Sequence, residues 1–206
     1  MQTEAAIVVP TLRDNLKLGA RLDHAVSIAG VDCLPVVVED RSREGYTRTV
    51  NRGIRLALKK IPNYAHILVM VDDCVPVTNN WLVVLIDEME SRASATALFS
   101  GPSGTCRTHP QNTGTVGDHR QPKFVDHLAG FCWLINRRVI DELGLLDEQF
   151  EHYASDVDYQ WRAHHALGAR SLWVPRVYVE HKLHEPISGR WMKDHHALSN
   201  IWEEKR

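Results

Sequence analysis

Two adjacent carboxylates, Asp72 and Asp73, end the apolar run ILVMVDDCVP (67–76). Neighbouring carboxylates repel each other, and a buried strand has no structural use for them. Their natural chemistry is to hold a divalent cation that neutralises a diphosphate. Polar groups also follow two other apolar runs. Pro10, Thr11 and Arg13 come at the end of AAIVVP (5–10), and Glu39, Asp40, Arg41 and Ser42 at the end of CLPVVVE (33–39). A glycine cradle for phosphate is missing. VPTLRDNLKLG stands where G-x-G-x-x-G should follow the first run, and no G-x-x-x-x-G-K-[ST] occurs. A carboxylate-held metal is the remaining common solution. Cys74 sits directly beside the pair, and a thiol is a poor replacement for oxygen around Mg2+ or Mn2+.

Positioning these groups requires strands that end on one rim. The runs 5–10, 33–39, 65–71 and 96–101 read as strands. Between them, helical spacing is expected over 14–29 (Leu18, Leu22, Ala25, Val26, Ala29) and over 47–60 (Val50, Ile54, Leu58). A third helix is expected through WLVVLIDEMES, capped by Asn79 or Asn80. This alternation predicts an α/β fold with an open, mostly parallel, Rossmann-like sheet flanked by helices. The runs are continuously apolar, as for strands covered on both faces. Ligands of such sheets bind beyond the carboxyl ends of the strands, where the polar groups cluster.

The second half reads differently. Residues 101–122 are rich in Gly, Pro, Thr and Asn and predict a long binding loop or lid, with Arg107, His109, His119 and Arg120 as contacts. FVDHLAGFCWLINRRVIDELG gives one or two strands and a short helix. SDVDYQWRAHHALG predicts a helix capped by Ser155, with Asp158 in a capping-box position. SLWVP and VYVEH read as short strands, and the tail 186–206 as partly helical.

Composition narrows the function. The chain has 206 residues and a formal net charge of −2, which argues against nucleic-acid or membrane binding by bulk charge. No apolar run reaches the roughly 20 residues of a membrane span, and the first residues lack a basic leader pattern. Cys33, Cys74, Cys106 and Cys132 form no CxxC pair. Reduced thiols in a soluble cytoplasmic protein are therefore expected, with peripheral membrane contact left open and no structural zinc. Twelve histidines include pairs in EHKLHE and DHHALS, for which surface placement is the simpler account than a zinc site.

The ordered motifs resemble glycosyltransferase family 2, whose members have the GT-A (nucleotide-diphospho-sugar transferase) fold. IVVPT resembles its opening strand, VVVEDRSREG its acidic second strand end, and Asn51 and Gly53 in TVNRGIRLAL its Asn-x-Gly helix start. VMVDDCVPVTNNWL resembles its Asp-x-Asp region. The stretch from GFCWLINRR through SDVDYQWR to VPRVYVEH resembles its later half, with a leaning toward rhamnosyltransferase-like members. Residues 5 to about 184 are covered.

The resemblance implies a single domain over 1–206: a nucleotide-binding half (about 1–100), an acceptor and catalytic half (about 101–185) and a tail (186–206). It implies transfer of a sugar, with inversion, from a nucleotide-diphosphate donor to a hydroxyl acceptor. That acceptor could be a glycan, a lipid-linked sugar, a protein or a modified nucleic acid. Pro10, Thr11, Arg13, Glu39, Asp40, Arg52 and Asp72 match the nucleotide side. Asp73 and His181 match the positions for Mn2+ or Mg2+. Asp156 matches the general base, and Gly130, Trp133 and Asp158 the sugar and acceptor side. A helix N-terminus lowers the pKa of such a base, and burial against Trp133 or Tyr153 would offset that.

Two departures are plain. Ser155 replaces the family's Glu beside the base, and Cys74 stands at the last acidic position of Asp-x-Asp. They motivate the alternative of a catalytically degenerate module that binds a sugar nucleotide or glycan. A nucleotidyltransferase would need a Gly-rich basic signature after the first strand, and the chain lacks one.

Overall fold

The computed structural model describes residues 5–12, 17–63, 65–106, 109–112, 116–181 and 190–203. The elements are β1 (Ala5–Thr11), α1 (Leu18–Ser27), β2 (Cys33–Glu39), α2 (Tyr46–Lys60), β3 (His66–Met70), β4 (Cys74–Pro76) and α3 (Trp81–Glu90). A short 3-10 turn at Ala93–Ala95 precedes β5 (Ala97–Gly104), β6 (Lys123–Val125), β7 (Cys132–Asn136), α4 (Arg137–Leu143), α5 (Ser155–Leu167), β8 (Arg170–His181) and α6 (Arg190–Glu203).

The eight strands among the described residues form one sheet, ordered β2-β1-β3-β7-β5-β8-β4, with β6 also on β8. β1 pairs in parallel with β2 and β3, and β5 pairs in parallel with β8. β7 enters antiparallel between β3 and β5, so the sheet is mixed but mostly parallel. β1 shows why the apolar runs are unbroken. Ala5, Ile7 and Val9 pack into one core with α1 and α3, while Ala6 and Val8 pack into a second with α2, α4 and α5. Side chains alternate across a strand, so a strand covered on both faces must be apolar at every position.

Several local expectations are corrected. Asn80 adopts a left-handed conformation and makes no capping bond to α3. β5 runs on to Gly104, so the first residues of the expected 101–122 loop are strand. SLWVP and VYVEH are one strand, β8, with a register shift against β5 between Pro102 and Ser103. Pro175 lies at that irregularity and does not end the strand.

Two of the quoted motif residues have structural work. A Cβ on Gly53 would stand 2.4 Å from Val8 Cγ1 and 3.2 Å from Val38 Cγ2, so glycine lets α2 lie close on β1 and β2. Buried Asn51 donates to the Leu146 carbonyl (2.9 Å) and accepts from the Leu146 N–H (3.1 Å), tying the segment before α5 to α2. Asn51→Ala is expected to cost about 1–3 kcal/mol for each buried group left unpaired. Chemical denaturation would check it, and an unchanged midpoint would contradict the assignment.

Candidate active site

β1, β2 and β3 deliver their carboxyl ends to one rim. Pro10 lies in β1 beyond the residues paired with β3, where a missing N–H is harmless. Thr11 donates its hydroxyl to Asp72 Oδ2 at 2.6 Å, and Arg21 of α1 donates to the Asp72 carbonyl at 2.9 Å. Arg13 lies outside the described residues. Glu39, partly exposed, ion-pairs with Arg41 at 2.7 Å. Arg52 donates to the Glu39 carbonyl at 2.7 Å and approaches Glu44 at 3.5 Å.

Asp40 is buried, and both its oxygens serve the turn into α2. They accept from the backbone N–H groups of Glu44 (2.8 Å) and Gly45 (2.9 Å). This arrangement shapes the rim from within.

Asp72 and Asp73 occupy the turn between β3 and β4. Beyond it, Cys74 of β4 is paired in register with His181 of β8. His181 Nε2 lies 3.7 Å from Asp73 Oδ1. Its Nδ1 lies 2.8 Å from the Thr105 carbonyl, which can only accept, so Nδ1 carries the proton and Nε2 offers a lone pair. The ring stacks on Phe131, with centroids 5.1 Å apart and planes at 8°. The ligand atoms of Asp73, Cys74 and His181 all lie within 4.8 Å of one another. Cys74 is buried and donates its thiol to the Phe131 carbonyl at 3.4 Å. Burial, with the nearby Cys132, Asp73 and Asp72 adding to it, pushes that thiol well above its ordinary range.

Asp156 lies in the first turn of α5, half-buried. Burial raises its pKa. His127 and backbone hydrogen bonds at Val157, Asp156 itself and Gly130 oppose that rise without cancelling it. Gly130 is a close neighbour: a Cβ there would stand 2.7 Å from Asp156 Oδ2. The Gly130 carbonyl accepts from the Tyr46 hydroxyl at 3.0 Å.

The segment 127–131 is held firmly. Buried Gln160 accepts from Leu128 N (2.7 Å) and donates to its carbonyl (2.9 Å), while Gln111 accepts from Ala129 N (2.7 Å). His109 donates from Nε2 to the His127 carbonyl (2.9 Å) and accepts at Nδ1 from Gln111 N (3.2 Å). Burial and His127 lower the His109 pKa to about 4, which keeps it neutral in that role. A cavity of about 260 Å3, lined by His109, Pro110, Val125, Asp126 and His127, opens beside this segment.

Ser155 is not the cap of α5. Ala154 takes that place in a left-handed conformation (φ 63°), and the Ser155 hydroxyl is buried with no hydrogen-bond partner among the described residues. Asp158 turns into the structure, accepting from Arg162 Nε at 2.7 Å and Trp202 Nε1 at 3.3 Å. Trp133 is fully buried between Phe99 (6.0 Å) and Tyr159 (6.1 Å). In this conformation both residues make packing contacts and hydrogen bonds within the fold. In the expected loop, Arg120 is held by Asp118, and Arg107 lies outside the described residues. All four cysteines are free, and no helix among the described residues is long and apolar enough to cross a membrane.

Tyr46, Arg21, His127 and Phe131 also belong to the site, and no motif in the sequence marks them. The available signal was positional for the first two: each lies at the beginning of a helix that starts from the same rim. Nothing local marks His127 or Phe131, which reach the site through tertiary pairing.

No family model and no curated protein matches the chain. Solved structures do. A197 from STIV aligns with a TM-score of 0.55 at 10% identity, covering 88% of this chain and 87% of that one. GalNAc-T7 with UDP, GalNAc and Mn2+ aligns at 0.61 and 14%, covering 98% of this chain and 49% of that one. The mannosyltransferase PcManGT from Pyrobaculum calidifontis, with GDP-Man and Mn2+, aligns at 0.55 and 13%, covering 92% and 59%. The chain thus spans about half the length of GalNAc-T7. At these identities the likeness is one of architecture: the chain has the GT-A fold found in glycosyltransferases.

Proposed function

We propose that the chain is an inverting glycosyltransferase that moves a sugar from a nucleotide-diphosphate donor to an acceptor hydroxyl, with Asp156 as general base. One observation carries the reading: consecutive residues join the two reactive clusters. Gly130 abuts the Asp156 carboxylate, and Phe131 stacks on His181 and accepts from Cys74. A base and a cation site held against consecutive residues, Gly130 and Phe131, fit a donor whose leaving diphosphate and attacked carbon lie side by side.

Asp73 and His181 fit a divalent cation, offering a carboxylate oxygen and an oriented imidazole nitrogen. Mn2+ or Mg2+ follows from the family resemblance, and bound there it would neutralise the leaving diphosphate. The chain's own groups do the rest. Thr11, Glu39 and the Asp72 turn form the nucleoside side of the rim, within the nucleotide-binding half (about 1–100). The acceptor enters from the half spanning about 101–185, past His127. Asp156 takes the hydroxyl proton as that oxygen bonds to the anomeric carbon. The bond from that carbon to the diphosphate oxygen breaks, and its electron pair leaves with the nucleoside diphosphate.

A thermal-shift series with UDP, GDP, CDP and dTDP, each with Mn2+ and in parallel Zn2+, tests the binding half of this reading. One nucleotide at a hundred times its Kd should stabilise the protein by about 2.7 kcal/mol. His181→Gln should remove the part that depends on the cation. No shift with any nucleotide would overturn the reading.

The non-catalytic alternative draws on the buried, protonated Cys74 and on Ser155. Release of nucleoside diphosphate from a nucleotide sugar, lost in Asp156→Ala, would exclude it.

A further inference from the structure

The third group at the cation site is a thiol, and hard cations do not choose thiols. We propose that Asp73, Cys74 and His181 form a three-ligand site that selects a thiophilic divalent cation, Zn2+ or Co2+, over Mg2+ and Mn2+. The inference rests on the proposed reading for the location of the cation, and departs from it in the cation's identity.

The placement of the thiol follows from the backbone. Cys74 and His181 are directly opposed residues of antiparallel β4 and β8, so their side chains leave the sheet on the same face. The imidazole is fixed on two sides, by the Thr105 carbonyl at Nδ1 and by the Phe131 ring beneath it. Asp73 closes the third side, with Oδ1 3.7 Å from His181 Nε2.

Ligand bonds of about 2.3 Å to sulfur and roughly 2.0–2.2 Å to nitrogen and oxygen put tetrahedral ligand atoms roughly 3.3–3.7 Å apart. The three atoms here, all within 4.8 Å of one another, need only small side-chain adjustments to meet that spacing. Three protein ligands with a fourth position open is the pattern of zinc sites that accept an outside oxygen. A diphosphate oxygen would be that ligand.

Binding replaces the thiol proton: the S–H bond breaks, the proton leaves to solvent, and sulfur keeps the pair that it shares with the cation. The hydrogen bond from Cys74 to the Phe131 carbonyl is exchanged for that bond. Among first-row ions a sulfur-and-nitrogen donor set favours Co2+ and Zn2+ over Mn2+.

The test is spectroscopic and needs no sugar donor. Cys33, half-buried on β2 and away from the site, is first changed to Ser so that it does not compete. Titration of this protein with Co2+ should give one equivalent of an intense near-ultraviolet thiolate-to-cobalt band. An equimolar amount of Zn2+ should abolish the band, and the same amount of Mn2+ or Mg2+ should leave it. Adding Cys74→Ser should remove the band. Cys74→Asp should reverse the preference and raise Mn2+ affinity.

Absence of the band in the Cys33→Ser protein overturns the inference without reference to any variant at the site. So does a band that survives Cys74→Ser, or one displaced equally by Mn2+. If the band is absent while a nucleotide diphosphate still stabilises the protein in Mn2+, the selectivity fails and the glycosyltransferase reading stands. If the band is present and no nucleotide binds, the metal site stands and that reading fails.

Discussion

Asp156→Asn is expected to lower kcat by about 10²–10⁴-fold, the usual contribution of a positioned general base. Stabilisation by the nucleoside diphosphate should be unchanged, because the rim around Thr11 and Asp72 is untouched. The same variant should be more thermostable than the parent at neutral pH. The sign follows from linkage. Burial raises the Asp156 pKa in the folded protein above its unfolded value. The native state then holds the proton more tightly than the unfolded chain does, so stability falls as pH rises through the interval between the two values. Above that interval the carboxylate destabilises the fold, and a neutral amide does not. Below it, where both states are protonated, the parent and variant should converge. For the reaction the sign is opposite: only the ionised base accepts a proton, so the rate rises with pH through the raised pKa. Calorimetry across pH, together with a pH–rate profile, checks both limbs. A variant with parental kcat, or one that is less stable at neutral pH and no different in acid, would remove Asp156 from the role of a general base with a raised pKa.

How far this arrangement can be read from sequence depends on which physics positions each residue. The paired carboxylates at Asp72 and Asp73 were legible because charge after a continuous apolar run is locally anomalous. β1 and α2 were legible because burial on both sheet faces, or on one helix face, imposes a pattern, whereas the apolar run of β2 lies on an edge strand that leaves Val37 exposed. The insertion of β7 between β3 and β5 was not, since pairing over long sequence separations leaves no mark on either strand. That insertion is what brings Gly130 and Phe131 beside the rim. Trp133 and Asp158 mark a different limit. An aromatic ring and a carboxylate near a candidate base look like ligand contacts in one dimension. Here the ring fills the core against Phe99 and Tyr159, and the carboxylate is held by Arg162 and Trp202. The chemistry of a side chain says what it can bind, and the neighbours that hold it are invisible in one dimension. Cys74 reverses the lesson. Sequence marked it as a defect in a carboxylate motif, and the strand register makes it a partner of His181.

Gly130→Ala is the sharper test of how the site is assembled. A methyl group there would sit 2.7 Å from Asp156 Oδ2, inside any permissible contact, so either the carboxylate or the segment must move. The segment is poorly placed to yield. Gln160 grips Leu128 at both its N–H and carbonyl, Gln111 holds Ala129 N, and Tyr46 holds the Gly130 carbonyl. The carboxylate, at the end of two rotatable bonds, is the softer partner and should swing away. A displacement of about 1 Å at a reacting group costs on the order of 10²-fold in rate, so kcat should fall by about that factor. Donor affinity should hold, because Thr11, Asp72 and Arg21 are not disturbed. Gly53→Ala is the matched control. There the added methyl meets Val8 and Val38 between α2 and the sheet, where overpacking costs about 1–3 kcal/mol. That variant should lose melting temperature and keep the kcat of whatever fraction stays folded, whereas Gly130→Ala should keep most of its melting temperature and lose kcat. If Gly130→Ala instead loses stability and retains turnover, the segment yields and the carboxylate stays. The close approach of Gly130 to Asp156 would then be a matter of packing, and the base would not depend on it for its position.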